Sequence, residues 1–395
     1  MEFITVNQAR TILNEEIETK SVTYLSLTDA LYHYTAKELI AGVDVPGFDN
    51  SAMDGYAFAY ADFEKKLPLK ITHVIKAGDT SLPHIKEGEA ARIFTGAPMP
   101  DGADTVVMQE KVKVENNQLF LEEQEIYKGL NVRLRASQTR KGEILVSENT
   151  YINSGLLSLL AGFGFDKIPV YSFPDVGILV TGSELVEPGK PLQPGQIYES
   201  NSPSLQSVLR DMNITSFPPE KVKDDKQSTI ESINDSLNKV DVLLITGGIS
   251  VGDYDFVKES LQECGVKQLF YKVQQKPGKP LFFGKKDNKY VFALPGNPAS
   301  VLSCFYQYVR PFLEGIKGNK KCNNYKAKAV LDTDFYKKNT LTLFLKGYWE
   351  EGKVRILSSQ ESYKMDSFTI ANCWIELDGQ PRTLKKGEEI TVWKI

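Results

Sequence analysis

Hydrophobic positions change their spacing several times along the chain. Val6, Ala9, Ile12 and Leu13 recur near every 3.6 residues, and Ala30-Leu31 through Leu39-Ile40 continue in that mode, so roughly the first forty residues read as helical. The pattern breaks at Val45-Pro46-Gly47. From there to residue 146 the chain is rich in Gly, Pro and short apolar runs such as Ala91-Arg92-Ile93-Phe94 and Thr105-Val106-Val107-Met108, which predict a β-rich module. Leu156, Leu157, Leu159 and Leu160 restore a helical pattern over 154–161. The simplest organisation is a β-rich module, 46–146, inserted into a discontinuous helical unit made of 1–45 and 147–172.

A different rhythm starts at Val176. Apolar runs at 176–180, 240–246 and 290–294 end at Thr181-Gly182, Gly247-Gly248 and Pro295-Gly296-Asn297-Pro298. Helical sequence follows the runs: Asn201-Ser202-Pro203 opens one helix with a buried stripe of Leu205, Val208, Leu209 and Met212, and 253–263 and 299–313 supply two more. Strands alternating with helices predict a mainly parallel sheet covered on both faces, spanning 173–318. After the polar stretch 315–324, runs at 340–345, 353–357 and 389–393, with a Glu351-Gly352 turn, predict a C-terminal β domain at 325–395, barrel-like in character. The expected fold is therefore multi-domain α/β plus β.

Charge and composition narrow the function. With 47 basic and 51 acidic side chains interspersed, and no Lys/Arg block, the chain gives no reason to expect a nucleic-acid partner. Its apolar runs fall far short of the ~20 residues that span a bilayer, and Met1-Glu2-Phe3-Ile4 does not open a signal peptide, so no membrane association and a cytoplasmic location are expected. Cys264, Cys304, Cys322 and Cys373 make no C-x-x-C pair, and His33, His73 and His84 make no ligand set. The cysteines read as buried structural thiols, and any metal should be a hard cation held by oxygen.

In an open parallel sheet the ligand crevice lies beyond the carboxyl ends of the strands. Three clusters belong there: Thr181-Gly182-Ser183-Glu184, the stretch from Thr246 through Gly247, Gly248, Ser250 and Asp253 to Asp255, and Pro295-Gly296-Asn297-Pro298. Each alone is consistent with a tight turn and a helix cap; three at one edge favour a phosphate-bearing ligand, held by backbone N–H groups. Lys276-Pro277-Gly278-Lys279-Pro280 adds two ammonium groups that repel each other unless an anion lies between them, although the same loop could be a solvated turn. Glu184, Asp224, Asp225, Asp253 and Asp255 would repel a phosphate without a divalent cation, which points to magnesium-assisted phosphate chemistry; Asp224 and Asp225 also suit a helix N-terminus. The β-rich module contributes two further loops, 44–57 around Asp54 and 95–104 starting at Thr95.

The motifs D-N-S-A-M-D-G-Y-A (49–57), T-G-A-P-M-P-D-G-A-D (95–104), T-G-S-E-L (181–185), I-T-G-G-I-S-V-G-D-Y-D (245–255), K-P-G-K-P (276–280) and L-P-G-N-P-A-S (294–300) occur in one order over nearly the whole chain. In these the sequence resembles the MoeA family of molybdopterin molybdenumtransferases, which are similar to the E domain of gephyrin. The resemblance implies a homodimer of elongated subunits with four subdomains, the discontinuous helical one serving linkage and dimerisation and the α/β one related to molybdopterin adenylyltransferases. It implies that adenylylated molybdopterin and molybdate yield molybdenum cofactor and AMP with Mg2+ required, and it leaves room for contacts with other proteins of molybdenum-cofactor synthesis. The catalytic set it implies is Asp54, Asp255, Glu184, Lys276 and Lys279, with Asp54 and Asp255 as metal ligands. Thr95, Thr181, Gly182, Gly247, Gly248, Ser250, Asp224, Asp225, Pro295, Gly296, Asn297 and Pro298 are the implied substrate-binding residues.

Two departures stand out. The family's N-x-R-x-x-G-x-D becomes Asn131-Val132-Arg133-Leu134-Arg135-Ala136-Ser137-Gln138, so the usual Gly and Asp are Ala136 and Gln138. A Q-G-S element survives only in part, as Gln360-Glu361-Ser362. Two functions follow as alternatives: a molybdenum-inserting enzyme, favoured by Lys276, Lys279, Asp54 and Asp255, or a weakly active or inactive pterin-binding scaffold, favoured by Gln138.

Overall fold

The computed structural model describes residues 3–121, 125–249, 256–321 and 325–395, and divides into two compact units. One comprises Met1–Leu25, Tyr32–Ala36 and Pro169–Ile395, the other Ser26–Leu31 and Lys37–Ile168.

The first unit is built on a six-stranded sheet with the order Glu220–Val222, Val176–Thr181, Val242–Thr246, Lys289–Leu294, Phe282–Lys286, Lys267–Tyr271. The first four strands are joined by parallel pairings, and Phe282–Lys286 alone runs the other way, pairing antiparallel with both its neighbours, so the sheet is mainly parallel as the rhythm predicted. Every residue of Val176–Thr181 and Val242–Thr246 is buried, because both faces are covered and a polar side chain has no wet side to occupy. Alternation sends Ile178 and Val180 into one core with Leu205, Phe292 and Phe312, and Leu179 into the other with Ile233, Leu243 and Leu261. Each such side chain contributes roughly 1.5–3 kcal/mol on burial, which holds the carboxyl ends of the strands in fixed register. Helix Val6–Glu15 joins the first of these cores through Val6, Ala9 and Leu13; a capping box between Thr5 and Gln8 starts it.

The C-terminal strands close on themselves. Thr342–Glu350 pairs with Lys353–Ile356, then the ring runs through Lys326–Leu331, Glu389–Lys394 and Cys373–Leu377 back to Thr342–Glu350. This five-stranded barrel has no free edges, and Leu331, Leu345, Val354, Ile375 and Val392 fill it. Gln275-Lys276 adds a short parallel pairing to Thr342-Leu343, so the K-P-G-K-P loop is anchored to the barrel.

The second unit contains a six-stranded sheet ordered Thr105–Met108, Gly55–Phe58, Glu89–Ile93, Leu69–Ile75, Gln118–Leu121, Val112–Glu115, with helix Ser154–Gly162 later in the chain. The helical reading of the first forty residues holds only for Val6–Glu15: Val22–Ser26 is a strand, and residues 30–40 are not helical. The chain there makes turns, with Tyr32 at φ 70, and then a short strand Leu39–Ile40 paired with Ile144–Val146. Leu39 and Ala41 are buried while Ile40 is exposed, which is a period of two, and the helical period was matched only by chance. Among the described residues no helix is long and apolar enough to cross a membrane.

Candidate active site

In the first unit the carboxyl edge of the sheet opens into a cavity of about 590 Å3. Its floor is backbone. Gly247 follows strand Val242–Thr246 with φ +87, and a Cβ there would lie 2.5 Å from the carbonyl oxygen of Thr181. Only glycine lets the turns after two neighbouring strands approach so closely. Gly247 N–H donates to Leu294 O at 3.3 Å, Thr181 Oγ1 donates to Thr246 O at 3.4 Å, and the Asn201 side-chain amide donates to Gly296 O at 2.8 Å, so the ends of all three strands and the helix Asn201–Asp211 are tied together. The other end of that amide, Asn201 Oδ1, is buried and has no hydrogen-bond partner among the described residues. Asn201 itself is part of the cavity lining.

Of the residues singled out from sequence, Thr181, Gly182, Glu184, Asp224, Gly247, Gly248, Pro295, Gly296, Asn297 and Pro298 line this one cavity. Asp224 also shapes it, because Oδ2 accepts a 2.5 Å bond from Ser183 N–H and pins the turn after the first core strand. Asp225 instead caps helix Lys226–Leu237, and the Ser228 N–H holds its carboxyl below the usual range. Ser250, Asp253 and Asp255 lie outside the described residues.

Among the described residues no Lys or Arg lines the cavity, whereas Glu184 and Asp224 do. Lys276 and Lys279 are exposed on a loop that reaches the cavity through Pro280, and Lys279 Nζ sits 5.5 Å from the Phe3 ring. That loop is rigid from below. Gln275, fully buried, accepts from the Tyr308 hydroxyl and donates to Gly278 O at 2.8 Å; a Cβ on Gly278 would strike Cys304 Sγ at 2.5 Å. Tyr308 lies in a π-helical turn, Phe305–Val309, between helices Pro298–Cys304 and Arg310–Ile316.

Several lining residues were not singled out from sequence. Ile197, Tyr198 and Ser200 come from the segment before helix Asn201–Asp211, and Asn201 itself was legible only as a helix start. From the barrel side, Ser362 Oγ accepts from Asn297 Nδ2 at 3.1 Å, its carbonyl accepts from Ala299 N–H at 3.1 Å, and Tyr363 lines the cavity.

The second unit carries the other cluster. Loops 49–54 and 94–99 are stitched together by Ser51 N–H to Ala97 O, Gly96 N–H to Ser51 O and Met99 N–H to Asp49 O. Asp54 Oδ1 accepts from Thr95 N–H at 2.7 Å and from Thr95 Oγ1 at 2.8 Å. The N–H first, then the hydroxyl, hold this exposed carboxyl below the usual carboxylate range, with Arg92 adding a smaller attraction. A third loop joins through Arg135, whose N–H donates to Asp49 Oδ1 at 2.6 Å and whose guanidinium pairs with Asp44 at 2.6 Å.

Residues 4–164 match the MoeA N-terminal region (domain I and II), 177–315 the probable molybdopterin binding domain, and 328–395 the MoeA C-terminal region (domain IV). The chain is 33% identical to a molybdopterin molybdenumtransferase of Haemophilus influenzae over 98% of both chains, and 32% identical to one of Staphylococcus epidermidis over 98% of this chain and 95% of that one. The chain belongs to the MoeA family of molybdopterin molybdenumtransferases. A crystal structure of the molybdopterin biosynthesis MoeA protein from Pyrococcus horikoshii OT3 matches it with a TM-score of 0.86 and 26% identity, covering 100% of each chain. Against the MoeA pattern, Ala136 gains a structural meaning: its φ is 58, the left-handed region in which the family's glycine carries no Cβ penalty. Gln138 is exposed, and its N–H donates to Val45 O at 3.0 Å.

Proposed function

We propose that this transferase takes adenylylated molybdopterin and molybdate to molybdenum cofactor and AMP, with the cavity at the sheet edge holding the pterin nucleotide. The observation that supports this most is the convergence of ten residues singled out from sequence, from four separate stretches of the first unit, on one cavity of about 590 Å3, a size suited to a nucleotide-like ligand.

In this reading the glycine and proline turns hold phosphate oxygens through backbone N–H groups, and Lys276 and Lys279 add charge from the rim. Asp54, held ionised by Thr95, is the catalytic carboxylate of the other cluster. Cleavage of the phosphoanhydride places negative charge on the departing AMP phosphate, so the site must neutralise it. Two acids without a basic partner in the cavity lining fit a hydrated magnesium ion, since that ion retains waters and takes one or two carboxylates beside phosphate oxygens. Glu184 and Asp224 would hold such an ion in the cavity and Asp54 in the second unit, and it would supply charge neutralisation on the phosphates; Asp255, the other metal ligand the resemblance implies, lies outside the described residues.

A homodimer belongs to the same proposal, and sedimentation at micromolar concentration showing only monomer counts against it. Incubation with adenylylated molybdopterin tests the reaction: AMP release that depends on molybdate and magnesium is expected. Tight pterin binding with no release under any molybdate concentration would favour the scaffold alternative.

A further inference from the structure

The barrel contributes a residue to the cavity that none of the motifs contains. Its loop between strand Lys353–Ile356 and the short 3-10 helix Asp366–Thr369 is held by several part-buried hydrogen bonds. Lys346, 1% exposed, donates from Nζ to Lys364 O at 2.7 Å and to Ser359 O. Gln360 clasps the same strand, accepting from Lys346 N–H at 2.9 Å and donating to Lys346 O and Leu357 O at 2.8 Å. Ser362 is then fastened to Asn297 and Ala299 of the Pro295-Gly296-Asn297-Pro298 turn and the helix it opens.

Tyr363 comes next. It lines the cavity yet is 65% exposed, and among the described residues its ring meets only Lys364 Nζ, at 5.9 Å, an ammonium that also pairs with Glu361 at 3.0 Å. A large aromatic ring on a fixed loop at a cavity wall loses little conformational freedom when a flat ligand covers it, because only two side-chain torsions need settle. If the loop served the barrel alone, its bonds would end at Lys346 and Gln360; the two bonds through Ser362 instead fix it to a cavity turn.

Resting on the function proposed above, we infer that Tyr363 is a binding residue that stacks on a planar nitrogen heterocycle of the substrate, so that the barrel completes the recognition site. Adenine and pterin share that chemistry. Tyr198, 47% exposed and contributed to the lining by the α/β domain, is the competing aromatic.

Calorimetric titration with AMP and, separately, with molybdopterin distinguishes them. The proteins are wild type, Tyr363→Ala, Tyr363→Phe and Tyr198→Ala, each checked for an unchanged melting temperature, which an exposed side chain should leave intact. Loss of one base–aromatic stack corresponds to a weakening on the order of tenfold. Tyr363→Ala should weaken one of the two probes by that factor, and Tyr363→Phe should bind within about twofold of wild type because the ring face is retained. The weakened probe identifies the stacked ring. Wild-type affinity of Tyr363→Ala for both probes, or weakening by Tyr198→Ala alone, overturns the inference and leaves the proposed function standing. Wild type that binds neither probe overturns both.

Discussion

At the sheet edge the groups offered to a ligand are mostly backbone, placed by buried strands whose every residue faces a core; around Asp54 they are side chains on exposed loops, placed by hydrogen bonds between loops. The first arrangement is stiff because moving it means disturbing two hydrophobic cores. The second is stiff only as far as Thr95, Arg135 and a few backbone bonds make it so. A cavity that must fit one shape is well served by backbone. A carboxylate that must remain charged in water is better served by exposure and by donors that favour its ionised form. Substitutions should therefore be sterically costly in the first region and electrostatic in effect in the second.

The largest expected effect is at Gly247. Gly247→Ala combines a left-handed backbone with a Cβ 2.5 Å from Thr181 O and 2.8 Å from Thr181 Oγ1. Together these should cost about 3 kcal/mol in urea unfolding and abolish nucleotide binding. A variant as stable as wild type would mean that the turns separate easily and the cavity is not preformed.

Second in size are the rim lysines. Lys276→Gln or Lys279→Gln should weaken pterin-nucleotide binding by about 1.5–3 kcal/mol, with the melting temperature unchanged and the loss shrinking as salt is raised. Normal binding by both variants would reduce K-P-G-K-P to a turn.

Much of the first region was legible in sequence, because strands covered on both faces read as unbroken apolar runs and the glycine and proline turns follow them directly. Its completion by Ser362 and Tyr363 was not, since the bond from Ser362 to Asn297 joins residues 65 apart in sequence and no local pattern announces it. The lysine pair was legible as charge at close spacing, but not its place on the exposed rim loop rather than in the cavity lining, since spacing says nothing about which side of a loop lines a cavity. In the second unit the Asp54 and Thr95 motifs were legible as loops only, and the bonds between them come from the sheet that carries both. Residues 30–40 were misread because buried positions two apart can coincide with a helical spacing over a short stretch.

A smaller effect should appear in the pH dependence. Thr95→Val removes the hydroxyl bond to Asp54 but keeps the N–H bond, so the Asp54 pKa should rise from its lowered position. Activity that needs the carboxylate is present above that pKa and lost as pH falls through it. The acid limb of the rate profile should thus move to higher pH, with rates near neutrality unchanged. An unmoved limb would show that Asp54 ionisation does not limit the reaction.

The smallest effects belong to the departures from the family pattern. Ala136→Gly should stabilise the protein by about 0.5–1 kcal/mol in urea unfolding, relief of the left-handed strain exceeding the added freedom of the unfolded chain. Gln138→Asp, on an exposed loop, should lower the magnesium concentration needed for half-maximal AMP release while leaving stability within about 0.5 kcal/mol. Equal magnesium midpoints and equal maximal rates would make position 138 a bystander.

The proposed division of labour between the two regions is tested most directly by Asp54→Asn, with AMP binding and AMP release measured on the same preparation. The amide keeps the shape and loses the charge, so binding should stay within about twofold of wild type while release falls on the order of 100-fold. Binding and release lost in equal proportion, or release left at the wild-type rate, would contradict the assignment of binding to the sheet-edge cavity and of chemistry to the Asp54 loops.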